Sequence, residues 1–490
     1  MKIDIYLKNK EYYDDAQLLA RSFFSRADVT HFSEFTDGAS SLEEGKLYLF
    51  LEDMTPDQEE ERSLNRSQLH DLFKKRVYKH LVSLTGRNLP WGFLTGVRPS
   101  KRAMALLDEG MEDAAVIKTF IDSYMVSEEK GDLALKVAKN EKRILEYAGV
   151  RNGYSLYLGI PFCPTTCLYC SFTSYPVETA RKQGKISKYL EALKTEIKEI
   201  GRIIGIAGKN DERFSGSPTS VYFGGGTPTS LNVSELDMIL SELRSAFDLS
   251  ETVEFTVEAG RPDSISMEKL KVLKKQGVNR ISINPQTMNE DTLELIGRHH
   301  TVREVEEAFA MARECGFDNI NMDIIMGLPG EGEAHIKKTL EEVRALGPDC
   351  ITVHSLSIKR AARLNTEKKK YEDISITNDH MALAVESAKE TGMIPYYMYR
   401  QQNMAGNQEN IGFAKKGKES LYNILIMEEI QPIIALGAGA ASKFIYDNEC
   451  ERLGKRIERA ENVKNVDEYI GRIGEMIERK REKFDRVKGD

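Results

Sequence analysis

At 490 residues the chain has room for roughly two to four domains. A net charge of −8 with interspersed signs leaves no basic footprint for nucleic acid, and no apolar run approaches the roughly 20 residues that span a bilayer. Of the six cysteines, three are clustered and the other three (Cys315, Cys350 and Cys450) lie far apart, which argues against a disulfide framework and for a reducing cytoplasm.

Residues 1–150 read as a separate α+β domain whose role the sequence does not specify. The alternation in Met1-Lys-Ile-Asp-Ile-Tyr6 is strand-like and lacks a signal-peptide core, and Leu47–Leu51 reads as a further strand. Helices are expected from Asp15 to Phe24 and over 66–84 and 127–147, the last with Leu133, Val137, Ile144 and Leu145 near one face. The stretch Trp91-Gly-Phe-Leu-Thr-Gly-Val-Arg-Pro-Ser-Lys101 holds the only tryptophan. It reads either as a substrate-facing loop or as a packed turn ahead of a helix opening at Pro99.

Residues 151–360 alternate strand and helix. Apolar, β-branched-rich runs fall at 155–161, 220–225, 253–259, 280–285, 319–327 and 350–358. Between them Ile186, Leu190, Leu193, Ile197, Ile200 and Ile204 recur at helical spacing, and Thr301-x-x-Glu304 is a capping box that opens a helix closed by Gly316. Six βα units in series predict an α/β fold, a partial (β/α)6 TIM-like barrel, with chemistry at the strands' C-terminal ends.

The first of these strands delivers Cys163, Cys167 and Cys170 in C-x3-C-x2-C spacing, on a loop that Pro161 and Pro164 keep out of helix. A structural zinc site wants four ligands. Three thiolates without a nearby fourth suit a centre with one open coordination position, and an iron–sulfur cluster fits that count. Polar and glycine-rich residues recur at the later strand ends. They are Gly224-Gly-Gly-Thr-Pro-Thr229, Glu258-Ala-Gly-Arg261, Asn284-Pro-Gln286 with Gly297-Arg-His-His-Thr301, Asp323 ahead of Gly327-Leu-Pro-Gly330, and His354 with Ser357. Missing side chains in the first would let a ligand approach the backbone amides.

These motifs, with Phe255-Thr-Val-Glu-Ala259 and Arg280-Ile-Ser-Ile-Asn-Pro-Gln286, resemble those of the oxygen-independent coproporphyrinogen III oxidase (coproporphyrinogen dehydrogenase) family of radical S-adenosylmethionine (SAM) enzymes, in its HemZ-type branch. The resemblance runs from about Leu156 through Gly330, and more thinly through Leu436–Ser442. It implies a [4Fe-4S] cluster on Cys163, Cys167 and Cys170, with SAM on the fourth iron beside Tyr157, Gly225 and Glu258. Family members can bind a second SAM, and Tyr169, Gly226, Thr227, Gln286, Arg298, Asp323 and Ser357 match that set; Gln286 and Arg298 are also the candidates for a direct part in the reaction. The implied reaction starts from a 5′-deoxyadenosyl radical made by reductive cleavage of SAM, and turns two propionates of coproporphyrinogen III into the vinyl groups of protoporphyrinogen IX. A tetrapyrrole substrate and an electron donor such as flavodoxin or ferredoxin are the partners this implies. Arg298, Arg360, Arg363 and Arg400 are the cations considered for substrate carboxylates.

Two departures stand out. Well-studied dehydrogenases of the family carry a cysteine where this chain has Phe172, and a glycine and an apolar residue where it has Asn284 and Pro285. Haem chaperones of the same superfamily also lack that cysteine, so a haem-binding protein stays open as an alternative, as does a radical SAM enzyme acting on haem. Residues 361–490 are expected to cover the substrate. The stretch from Lys359 to Asp373 reads as an exposed charged connection, Asp379–Glu390 as a helix, and Tyr396-Tyr-Met-Tyr-Arg400 either as a macrocycle wall or as a half-buried strand. Gly437-x-Gly439 lacks the helix and acidic partner of a dinucleotide site. A charged amphipathic helix over 463–485, with Ile470, Ile473 and Ile477 inward, reads as a lid or a packing helix.

Overall fold

Three short strands, β1 (Lys2–Tyr6), β2 (Asp28–Phe32) and β3 (Lys46–Phe50), pair in parallel in the order β2-β1-β3. Ile3, Ile5 and Leu49 pack with Leu19 and Phe23 of α1 (Tyr13–Phe23) and Phe73 and Val77 of α2 (Arg66–Thr85), in a core separate from the rest. This computed structural model describes residues 2–24, 28–32, 46–94, 98–148, 153–170, 174–357, 378–401, 404–446 and 457–487. Phe172, Arg360, Arg363, Cys450 and the charged stretch from Lys359 to Asp373 lie outside the described residues.

Pro99 opens α3 (Pro99–Asp108), where the missing N–H of proline costs no helical hydrogen bond. With α4 (Asp113–Tyr124) and α5 (Glu128–Ala148) it packs away from the first sheet, since Ala103, Val116, Phe120 and Val137 share the core of the second. Trp91 is fully buried in that same core, so the Trp91–Lys101 stretch is a packed turn where it is described.

The second sheet is built from β4 (Ser155–Ile160), β5 (Ser220–Gly225), β6 (Glu254–Glu258), β7 (Arg280–Ser282), β8 (Ile320–Met326) and β9 (Cys350–Ser355), parallel and adjacent in chain order. The connecting helices are α6 (Lys185–Ala207), α7 (Val233–Ala246), α8 (Met267–Lys275), α9 (Val302–Glu314) and α10 (Glu333–Leu346). The predicted capping box is present, Thr301 with Glu304, and Gly316 follows the helix with positive φ. The fold is the partial barrel expected of six βα units.

The C-terminal segment extends this sheet at both edges. After α11 (Asn378–Glu390) come β10 (Ile394–Tyr399) and β11 (Asn410–Ala414), then α12 (Leu421–Glu428), β12 (Ile433–Leu436), β13 (Ala441–Ile445) and β14 (Ile457–Glu461). The full order is β10-β11-β9-β8-β7-β6-β5-β4-β12-β13-β14, in which β12 joins β4 in parallel. The Gly437–Gly439 turn therefore links two strands of a hairpin rather than leading into a helix. The expected 463–485 helix is two pieces, Val466–Gly471 and α13 (Ile473–Val487), broken at Arg472 between Gly471 and Gly474, where the backbone pays most to stay helical. Lys480 of α13 forms a fully buried ion pair with Glu196 of α6 at 2.8 Å, so α13 packs on the outer helix layer and is no lid. No helix among the described residues is long and apolar enough to cross a membrane.

Candidate active site

At the C-terminal ends of the parallel strands lies a cavity of about 670 Å³. Tyr157, Cys163, Cys167, Tyr169, Cys170, Gly225, Gly226, Thr227, Glu258, Gln286, Arg298, Asp323 and Ser357 all line it. Residues up to 200 positions apart in sequence meet there because each follows, or ends, an adjacent strand.

The cysteine loop is pinned from three sides. Gly226 donates its N–H to Ile160 O at 2.7 Å, and Thr227 donates to Phe162 O at 2.8 Å. Leu168 donates to Ile296 O at 2.9 Å and its side chain sits with Ile296, Leu328 and Leu356. The Thr165 hydroxyl donates to Gly297 O at 2.9 Å. A Cβ on Gly226 would lie 2.9 Å from Cys163 Sγ and 2.7 Å from Phe162 O, so only glycine lets this loop pass the thiols. Burial pushes the Cys163 thiol up, and the Thr227 hydroxyl, 3.5 Å from its sulfur, works against that.

Glu258 closes β6 next to the glycine loop. Tyr222 donates its O–H to Glu258 Oε1 at 2.6 Å. Burial nevertheless holds the carboxyl up at about 7, with Asp323 adding to the shift and Tyr222, His354 and Arg280 opposing it. Above it Tyr157, Tyr222 and Tyr422 form a stack, the closest pair 4.4 Å between centroids at 23°. Such a face suits a flat or cationic ligand.

Beyond the end of β7, next to β6, Gln286 adopts φ 69°, a left-handed conformation uncommon outside glycine. Its backbone bridges β8 on both sides, from Gln286 N to Asp323 O at 2.9 Å and from Ile325 N to Gln286 O at 2.8 Å. Its side-chain Oε1 is buried without a partner. Arg298 spends Nη1 on the carbonyls of Asn284 and Gly260, which leaves Nε buried and unpartnered. Asp323 accepts from Asn321 Nδ2 at 2.7 Å and faces His354 Nε2 at 3.7 Å; burial raises its carboxyl, but His354 and the hydrogen bonds hold it below its ordinary value. Ser357 pairs with Met404 in an isolated antiparallel bridge.

Arg261 entered the sequence reading only as the end of the Glu258-Ala-Gly-Arg261 turn, and neither it nor Tyr222 was given a role. Arg261 is 3% exposed, donates to Thr165 Oγ1 at 3.0 Å, approaches Cys167 Sγ at 3.7 Å, and is held by Asp263. Its signal was its place, directly after the Glu258-Ala-Gly turn. Tyr397 and Tyr399 of β10 and Tyr422 of α12 also line the cavity, so β10 is both a strand and part of the wall. Arg400, by contrast, is committed elsewhere. Its guanidinium bonds the carbonyls of Leu94 and Asn407 and lies 5.4 Å over the Trp91 ring.

The cavity thus fits an iron–sulfur cluster with SAM. It offers three thiols with a loop only glycine can form, a carboxylate beside them, and two buried polar groups, Gln286 Oε1 and Arg298 Nε, that need a partner from the cavity.

Known proteins agree with that reading. Residues 157–343 match the family model described as the radical SAM superfamily. The chain is 43% identical over 377 residues to the oxygen-independent coproporphyrinogen-III oxidase-like protein HemZ of Bacillus subtilis, covering 75% of this chain and 73% of that protein. It is 35% identical over 292 residues to the heme chaperone HemW of the same organism, covering 58% and 70%. It is 32% identical over 199 residues to the oxygen-independent coproporphyrinogen III oxidase of Escherichia coli, covering 41% of each. Among solved structures, coproporphyrinogen III oxidase (HemN) from Escherichia coli superposes with a TM-score of 0.51 at 23% identity, over 68% of this chain and 73% of that one, which supports the fold. The cofactors of this superfamily are a [4Fe-4S] cluster and SAM, and the chain belongs to it, in the family of the oxygen-independent coproporphyrinogen-III oxidase-like proteins.

Proposed function

We propose that the chain catalyses the oxygen-independent oxidative decarboxylation of coproporphyrinogen III to protoporphyrinogen IX. One observation carries this reading: the three cysteines, Glu258, Gln286, Arg298 and Asp323 line a single cavity in a chain 43% identical to HemZ. In this reading Cys163, Cys167 and Cys170 hold the cluster, and Tyr157, Gly225 and Glu258 hold the SAM bound to it. Tyr169, Gly226, Thr227, Gln286, Arg298, Asp323 and Ser357 take a second SAM. When bound, the cluster and SAM would supply the one-electron chemistry that removes hydrogen from a propionate β-carbon, and loss of CO2 together with one electron, passed to an electron acceptor, would leave the vinyl group.

The chain's own part is binding and orientation. The Glu258 carboxylate matches the positive charge of SAM, and the Tyr222 hydrogen bond fixes which oxygen faces it. Arg298 is fixed by two carbonyls, so its free Nε needs no reorganisation to meet a ligand. An electron donor such as flavodoxin or ferredoxin, and a cytoplasmic setting that keeps the cluster reduced, belong to this reading. Incubated anaerobically with reductant, SAM and coproporphyrinogen III, the protein is expected to yield 5′-deoxyadenosine and CO2. SAM turnover without CO2 would sink the reading.

The HemW relatives favour a second reading, a haem chaperone, for which the tyrosine-lined cavity wall is apt. It requires stoichiometric haem binding under reducing conditions and transfer to an apo-acceptor, and a haem titration without saturation removes it.

A further inference from the structure

The interior of this barrel is polar where aliphatic layers normally fill one. Thr256, Ser282, Asn321 and Thr352 are buried on adjacent strands and largely satisfy one another. Ser282 Oγ accepts from Asn321 Nδ2 at 2.8 Å and donates to Asn284 Oδ1 at 2.6 Å, and Thr352 Oγ1 donates to Asn321 Oδ1 at 3.0 Å. Level with Thr256 stands Arg280, the first residue of β7, two residues below the level of Glu258 and so about 7 Å down the strands from it. It lines the cavity and is 2% exposed, yet Nε and Nη2 have no hydrogen-bond partner, and no carboxylate lies within 4.0 Å of it among the described residues. The two nearby carboxylates are engaged otherwise. Glu254 accepts from Leu421 N at 2.6 Å, Thr256 Oγ1 at 3.0 Å and Ser420 Oγ at 3.1 Å at the start of α12, while Glu258 accepts from Tyr222.

A buried guanidinium without a counter-ion is costly, and a fold with no use for it gains by replacing it with an apolar residue. Its planar fork is matched to a carboxylate. We propose that Arg280 is the anion-binding end of the cavity and receives a carboxylate of the ligand that fills the barrel. Resting on the functional reading above, that carboxylate is a propionate of the tetrapyrrole, anchored beyond the carbon that reacts. The propionate arm enters from the cluster side, and its terminal oxygens replace the missing partners of Nε and Nη2.

The test uses the full chain with its cluster reconstituted anaerobically, as wild type, Arg280→Met and Arg280→Lys. In a chloride-free buffer without carboxylates, Arg280→Met is expected to melt at or above the wild-type temperature, because it removes an unpaired buried charge. Added acetate should raise the melting temperature of the wild type and leave Arg280→Met unmoved. Coproporphyrin III, an air-stable tetracarboxylate, should bind both variants about 10- to 100-fold more weakly than wild type, with iron content and SAM binding unchanged. Acetate acting equally on wild type and Arg280→Met overturns the proposal. Should Arg280→Met not fold, Arg280→Lys decides: unchanged coproporphyrin III affinity marks a structural cation and overturns it. If the wild type binds no coproporphyrin III, the functional reading fails, and the acetate comparison alone decides the anion site.

Discussion

Glu258 is the residue whose chemistry is most exposed to pH. Its carboxyl titrates at about 7 in the fold, against 4.5 for the free side chain, and burial is the main cause. Below about pH 7 it is neutral; above, it is anionic, and on the proposed reading only then offers SAM a counter-charge. SAM affinity is therefore expected to rise as pH climbs through 7 and to level off above it, a trend that equilibrium dialysis between pH 6 and 8 measures on the cluster-loaded protein. Glu258→Gln should flatten that profile and weaken binding by about 10- to 100-fold. Tyr222→Phe removes a donor to the anion, so it should move the midpoint upward. The linkage to stability has the opposite sense. A raised folded pKa means the fold favours the proton, so stability falls as pH rises from about 4.5 to 7 and is constant beyond. Glu258 was legible in sequence because it ends a β-rich run beside the glycine stretch. Tyr222 was not, because an aromatic residue within a strand reads as core filling until its neighbour across the sheet is known. The same holds for Arg280, whose inward direction follows from strand register.

At the scale of elements, the turn after β5 shapes the site through space denied to side chains. A Cβ on Gly226 meets Phe162 O at 2.7 Å, Ile160 O at 2.8 Å and Cys163 Sγ at 2.9 Å, two of them backbone atoms that cannot step aside. A Cβ on Gly224 meets Tyr222 Cε1 at 2.9 Å and Glu258 Cδ at 3.0 Å, which are side-chain atoms. The two substitutions should therefore separate. Gly226→Ala is expected to cut iron content and cluster absorbance after reconstitution, whereas Gly224→Ala should keep the cluster and weaken SAM binding. Equal iron loading in both variants would contradict that assignment. The six βα units were legible because buried parallel strands are near-continuous apolar runs and their helices carry 3.6-residue spacing. The strands β10 to β14 were harder. Their pairing joins residues such as Ile433 and Ser155, far apart in sequence, and nothing local specifies which edge a short apolar run will choose. The break at Arg472 escaped for a related reason, since Gly471 and Gly474 interrupt a pattern whose apolar spacing continues across them.

Across the whole molecule, α5 joins the barrel through a buried charge pair inside the core the two share. Glu409 precedes β11, accepts from Lys130 Nζ of α5 at 2.7 Å, and accepts from Trp91 Nε1 at 2.7 Å. Lys130 and Glu409 are 2% and 0% exposed. The same stretch reaches the cavity wall, because Ser355 Oγ donates to Glu409 O at 2.7 Å and Ser355 N–H donates to Asn410 Oδ1 at 2.8 Å, and Ser355 and Asn410 both line the cavity. Removing one member of such a pair strands the other as an unpaired buried charge, at a cost of roughly 3–5 kcal/mol, whereas replacing both with apolar groups of similar volume can be neutral. Glu409→Leu alone should lower the urea midpoint sharply, and Lys130→Met combined with Glu409→Leu should recover most of that loss. Trp91 reports the docking directly, being the only tryptophan. In Glu409→Leu its fluorescence should shift to the red before the far-ultraviolet circular dichroism changes, because the interface opens before the barrel unfolds. Coincident transitions by both probes would mean that α5 and the barrel unfold as one cooperative unit.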